Sequence, residues 1–136
     1  MKIAVMGAGG IGGWLGARLA LAGGDVSFIA RGEHLQAMRS NGLKVSGADK
    51  IYLPKVMATD NVKEIDAVDV VLFCVKLYDT QAAAKKIMPL LGPNTFIVSM
   101  QNGVESAQRI SSIIGDGRVL PGAAYFPSNI AAAGEI

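Results

Sequence analysis

The stretch Lys2–Gly12, KIAVMGAGGIG, carries the reading of the fold. Its first five residues form a short apolar run that stops at Gly7, the pattern of a strand buried on both faces. Gly7-Ala8-Gly9-Gly10-Ile11-Gly12 follows as a G-x-G-x-x-G, and from Gly10 the apolar spacing becomes that of a helix. Ile11, Leu15, Leu19 and Ala22 share one face, Arg18 points away, and Gly23-Gly24 stops the segment. A glycine turn between a buried strand and a helix is the first unit of a dinucleotide-binding sheet. Gly7 takes the tight turn, Gly9 lets a pyrophosphate approach the backbone, and Gly12 lets the helix pack on the strand. Ala8, Gly10 and Ile11 complete the loop, whose helix end offers unpaired N–H groups and a partial positive charge. Alone, such a loop is a packing turn; its position after a buried strand near the chain start favours binding.

The rest of the chain alternates in the same way. Val26–Ala30 is a second β-type run, and Glu33–Asn41 reads as a short helix closed by Gly42. Leu43–Ser46 and Ile51–Leu53 are weaker strands around a Gly47-Ala48-Asp49-Lys50 turn. Asp69–Val75 is continuously apolar after its first residue, and a helix over Thr80–Leu90 follows, with Asp79 or Thr80 as its N-cap. Gly92 reads as an element stop before a strand at Thr95–Met100. A helix near Val104–Ile114 and a last strand at Arg118–Tyr125 complete the pattern. Connections this short imply parallel strands and right-handed crossovers. The expected fold is α/β: a Rossmann-type, doubly wound, mainly parallel sheet, with residues 1–136 as one domain.

Composition narrows the function classes. The 17 glycines in 136 residues follow no Gly-X-Y period, and 51% apolar with 18% charged residues excludes a disordered linker. A mean hydropathy of +0.37 suits strands buried on both faces. A net charge of +2 leaves no footprint for a nucleic acid. Cys74 is the sole cysteine, so an internal disulfide is excluded and a reducing compartment is expected. One thiol and one histidine do not make a zinc site, and no metal is expected. No stretch reaches the ~18 apolar residues of a membrane span, so the chain reads as soluble and cytoplasmic. Cys74 reads as an inert core thiol, His34 as an exposed residue without a catalytic role, and Trp14 as packing or interface.

The end of the second strand selects the dinucleotide. An NAD-binding sheet places Asp or Glu there, about 20 residues beyond the loop, on the ribose hydroxyls. This chain has Ala30-Arg31. A carboxylate repels the 2′-phosphate of NADP, whereas a guanidinium forms charge-assisted bonds to it, so Arg31 favours NADP(H). Glu33 is close enough to compete as a ribose ligand, and Arg31 also reads as a solvated surface charge.

With the loop at Gly7–Gly12, Arg31-Gly32, Val75-Lys76, Tyr78-Asp79-Thr80 and Gln101-Asn102-Gly103 in view, the chain resembles the amino-terminal domain of the ketopantoate reductase (2-dehydropantoate 2-reductase) family. The resemblance covers essentially the whole chain. It implies that Lys76 lies beside the cofactor, that Asn102 lies between nicotinamide and substrate, and that Ser128 falls near a small residue contacting the cofactor. Read from the residues alone, Lys76 is also an ordinary strand-end charge, and Asn102-Gly103 a common turn dipeptide. The resemblance further implies NADPH-dependent reduction of 2-dehydropantoate to pantoate, a step toward pantothenate and coenzyme A. The general acid would be a lysine on a helical carboxyl-terminal domain that these residues lack, so no catalytic residue is assigned in this chain. The expected partners are a small 2-oxoacid and that absent domain; the oligomeric state is not legible. Three alternatives stay open: another NADP-dependent 2-oxoacid reductase, a glycerol-3-phosphate-type dehydrogenase domain, or a non-catalytic NADP-binding module.

Overall fold

In the computed structural model, which describes residues 1–136, the apolar run Lys2–Met6 forms strand β1. The glycine turn then opens helix α1 (Gly10–Leu21). The chain continues through β2 (Asp25–Ile29), α2 (Gly32–Asn41), β3 (Leu43–Val45), β4 (Ile51–Leu53), β5 (Met57–Thr59) and β6 (Val68–Phe73). It ends through α3 (Thr80–Lys86), β7 (Leu91–Ser99), α4 (Ser106–Ile114) and β8 (Val119–Pro121). Six strands form one parallel sheet in the order β5-β2-β1-β6-β7-β8. The winding reverses between β1 and β6. In a doubly wound sheet this reversal opens a crevice beyond the carboxyl ends of those strands. The expected α/β fold is the observed one.

Strand alternation builds a core on each face. Ile3, Val5, Val26, Phe28 and Leu72 point toward α1 and α2, where Ala17, Leu35 and Met38 meet them. Ala4, Met6, Ile29, Val71, Phe73 and Ile97 point the other way, onto Ala83, Ala84, Ile87 and Ile110. Each large side chain so buried contributes about 1.5–3 kcal/mol relative to an exposed one. Helix α1 packs close against the sheet, because Gly16 leaves its backbone room beside the Phe28 ring. β3 and β4 pair antiparallel as a separate hairpin and add Leu43, Val45 and Ile51 to the α1 face. Trp14 holds the hairpin turn: its Nε1 donates to Asp49 Oδ2 at 2.7 Å, and its ring packs at a 45° tilt against Phe126 with centroids 4.4 Å apart. Residues 134–136 return beside β3, where Lys44 N donates to the Gly134 carbonyl at 2.9 Å and Ile136 N to the Lys44 carbonyl at 2.8 Å.

Several boundaries differ from the sequence reading, each for a local reason. The helix expected over Thr80–Leu90 stops at Lys86 and gives way to a 3-10 turn at Met88–Leu90, since Pro89 has no N–H to continue it. Gly92 does not stop an element. It opens an irregularity inside β7, where its N–H and the Val68 carbonyl are both bonded by the Thr95 hydroxyl. The last strand ends at Pro121, well short of Tyr125, and α4 begins at Ser106 instead of Val104. Strand β5 has only three residues and was not legible; pairing with β2 defines it. No helix is long and apolar enough to cross a membrane.

Cys74 follows β6, and its N–H extends the ladder to the Met6 carbonyl at 2.8 Å. Burial pushes its thiol from 9.0 up to about 12. The folded protein therefore holds the neutral thiol, and this contributes stability below pH 9 that is lost as pH rises toward about 12. Cys74 should accordingly react slowly with an aromatic disulfide reagent at neutral pH and rapidly once denatured; equal rates would show an accessible thiolate. Gly16→Val should cost about 1–3 kcal/mol by overpacking against Phe28. Urea denaturation reads this directly, and an unchanged midpoint would mean that α1 does not seat on β2 as described.

Candidate functional site

The site is built at the turn from β1 to α1. Gly7 has φ +99°, a conformation that glycine adopts without strain. The turn is tied to the neighbouring strand, as the N–H groups of Gly7 and Ala8 both donate to the Ile29 carbonyl, at 3.2 and 3.1 Å. Gly12 sits so close that any Cβ would overlap the Gly7 carbonyl and press on Cys74 Cβ and Val5 Cγ1 at 3.0 Å. Gly10 is equally confined, by the Ser128 carbonyl. Gly9 is the opposite case: a Cβ there would meet nothing within 4 Å. The N-cap Gly9 has no side chain to bond the first turn of α1. The amides of that turn, Ile11 among them, lack intrahelical partners and carry the positive end of the helix dipole.

Beside this loop, beyond the carboxyl ends of β1, β2 and β6, lies a cleft of about 410 Å³. Gly7, Ala8 and Gly9 form its floor, Arg31 and His34 one wall, and Cys74, Lys76, Asp79 and Lys86 the other. Three cations, Arg31, Lys76 and Lys86, thus face one carboxylate. Arg31 reaches across and pairs with Asp79, Nη2 to Oδ2 at 3.1 Å. Glu33, weighed from the sequence as a competing ribose ligand, is exposed and does not line the cleft.

The remaining expected site residues lie around this cleft. Asn102 is exposed just beyond the carboxyl end of β7, ahead of Gly103 with φ +92°. It lies outside the cleft lining, as do Gly10, Ile11, Gly12 and Ser128. Ser128 nevertheless crosses directly over the loop at Gly10.

Three side chains matter more than their sequence suggested. Gln101 is buried and donates from Nε2 to the Val75 carbonyl at 2.9 Å and to Thr80 Oγ1 at 2.8 Å. It fixes the segment that carries Lys76 to the end of β7. Its position inside the Gln101-Asn102-Gly103 motif was the only signal. His34, expected to be exposed, is half-buried. Its Nδ1 accepts from the Gly134 N–H at 3.0 Å, which leaves Nε2–H to donate to the Ala8 carbonyl at 2.8 Å. It joins the glycine loop to the returning chain. Asp79 occupies the N-cap position of α3, as read, but makes no capping bond and turns to Arg31 instead.

Comparison with known proteins agrees with this architecture. A family model described as Ketopantoate reductase PanE/ApbA matches residues 3–136. A 2-dehydropantoate 2-reductase of Mesorhizobium japonicum is 44% identical over 105 residues, covering 76% of this chain and 32% of its own length. One from Archaeoglobus fulgidus is 34% identical over 99% of this chain and 43% of its own length. The crystal structure of 2-dehydropantoate 2-reductase from Porphyromonas gingivalis W83 superposes with a TM-score of 0.91 at 39% identity, covering 99% of this chain and 50% of that one. The chain therefore spans half or less of the length of these relatives. With the matched model covering nearly every residue, from β1 to Ile136 beside β3, the chain belongs to the ketopantoate reductase family.

Proposed function

We propose that this chain is the cofactor-binding half of an NADPH-dependent, cytoplasmic 2-dehydropantoate 2-reductase. The observation that carries the reading is the open side of Gly9 above an uncapped α1, at the sheet's reversal point, with Arg31 on the facing wall. Ligands of doubly wound sheets bind at that point.

The residues present fit a dinucleotide. The loop Gly7–Gly12 holds the pyrophosphate through backbone N–H groups, favoured by the α1 dipole. Arg31, exposed over 79% of its side chain, is free to turn toward a 2′-phosphate. Lys76 adds positive charge at the carboxyl end of β6 and holds the cofactor there, while Ser128 packs over the loop. Asn102 lies one strand further on, where the substrate ketone and the nicotinamide would meet. A bound nicotinamide supplies the hydride. The proton for the developing alkoxide needs a general acid. Within this chain Lys76 serves binding and pocket charge, and the donor is assigned to the helical carboxyl-terminal domain that the resemblance implies.

Arg31→Ala should weaken NADPH about ten- to a hundred-fold, as loss of charge-assisted bonds to phosphate implies. NADH should be little affected; equal losses in titration calorimetry would remove the 2′-phosphate role. Gly9→Val should abolish binding of both cofactors while circular dichroism stays native, because Gly9 has φ −78° and valine adds no backbone strain there. Retained affinity would show that the loop does not cradle the pyrophosphate. These 136 residues alone should turn over 2-dehydropantoate far more slowly than a full-length relative. Comparable rates would place the proton donor inside this chain.

A further inference from the structure

The Arg31–Asp79 pair bridges the two walls of the cleft from residues 48 apart in sequence. Its two ends are held very differently. Asp79 stands on a fixed segment: its N–H donates to the Lys76 carbonyl at 2.9 Å, and the Thr80 hydroxyl donates to the Leu77 carbonyl at 2.8 Å. Gln101 then ties Thr80 and Val75 to the end of β7. The Asp79 side chain is 30% exposed against 79% for Arg31, and Arg31 has no other side-chain partner than Asp79. The carboxylate is thus a stationary anion, and the guanidinium a movable cation captured by it.

Asp79 is also surplus to the local fold. It sits at the N-cap position of α3 without bonding any amide there, so its carboxylate is committed to Arg31 alone. It is the only acidic residue lining a cleft that otherwise presents Arg31, Lys76 and Lys86. We propose that Asp79 is a specificity-determining residue: it competes with the ligand's 2′-phosphate for Arg31 and so sets how strongly the site prefers a 2′-phosphorylated dinucleotide. The proposal rests on the reading of Arg31 as the phosphate anchor given above. The guanidinium N–H turned to Asp79 is not available to a phosphate until that pair is broken. An unphosphorylated dinucleotide brings no such competitor, so Asp79 leaves its affinity unchanged.

The test is a double-mutant cycle on this chain, with calorimetric titration of NADPH, NADH, 2′,5′-ADP and 5′-ADP. Asp79→Asn should tighten NADPH and 2′,5′-ADP by about three- to ten-fold at low salt, with a smaller gain at high salt. NADH and 5′-ADP should stay unchanged, and the gain should vanish in the Arg31→Ala background. A purely structural role for Asp79 would move all four ligands together. If Arg31→Ala retains its selective loss of NADPH while Asp79→Asn leaves NADPH unchanged or weaker, Asp79 is not a competitor and the proposal alone falls. If the gain persists without Arg31, the competition does not run through Arg31 and the proposal is likewise wrong. If Arg31→Ala weakens NADPH and NADH equally, the anchor reading fails and takes the proposal with it. Asp79→Ser, which keeps a helix-capping side chain without the charge, repeats the cycle should the asparagine variant fold poorly.

Discussion

The Gly7 carbonyl against Gly12 is the contact on which the rest of the structure depends. A single methyl group at Gly12 would collide with backbone, which cannot move without dislodging β1. Because that space is empty, α1 turns back immediately over the strand it left, and its amino end lies at the rim of the sheet. Gly16 extends the same close approach one turn further, to Phe28. The helix direction, the core on that face and the orientation of the free amides therefore follow from two missing side chains. Glycine in a helix costs about 1 kcal/mol relative to alanine. Here that cost is offset by burial and places the positive end of the helix dipole beside the cleft.

Much of this was legible because it is local. The change of apolar spacing at Gly10 marks β1 and α1 within a dozen residues, and the unbroken run before Cys74 marks a central strand. Where the reading failed, the deciding partner lay elsewhere in the chain. Met57-Ala58-Thr59 has no pattern of its own and is a strand only through β2. Thr95 bonds the Val68 carbonyl, 27 residues away, and this lets β7 continue through Gly92. The stop before Pro89, by contrast, is written in the sequence itself, because proline has no N–H to continue a helix.

The site divides in the same way. The glycine loop and Arg31 are legible by spacing, since each stands just beyond the end of a strand. Asp79 did so only as a capping residue, and its actual partner is invisible to any short window. His34 is the plainest case. Nothing near it predicts two backbone bonds to residues 26 and 100 positions away. Long-range polar contacts leave no periodic trace.

The strap formed by residues 126–136 has a kinetic meaning. It covers Gly10 through Ser128, bonds His34 through Gly134 and fills the space over Gly13 with Ile136. All three contacts join residues 100 or more positions apart, and loops of that length lose entropy before their contacts repay it. Contact order thus predicts that the glycine loop gains its outer wall after the sheet has assembled. A ligand seated there would select the completely folded chain, so its binding energy would stabilise the whole domain and not the loop alone.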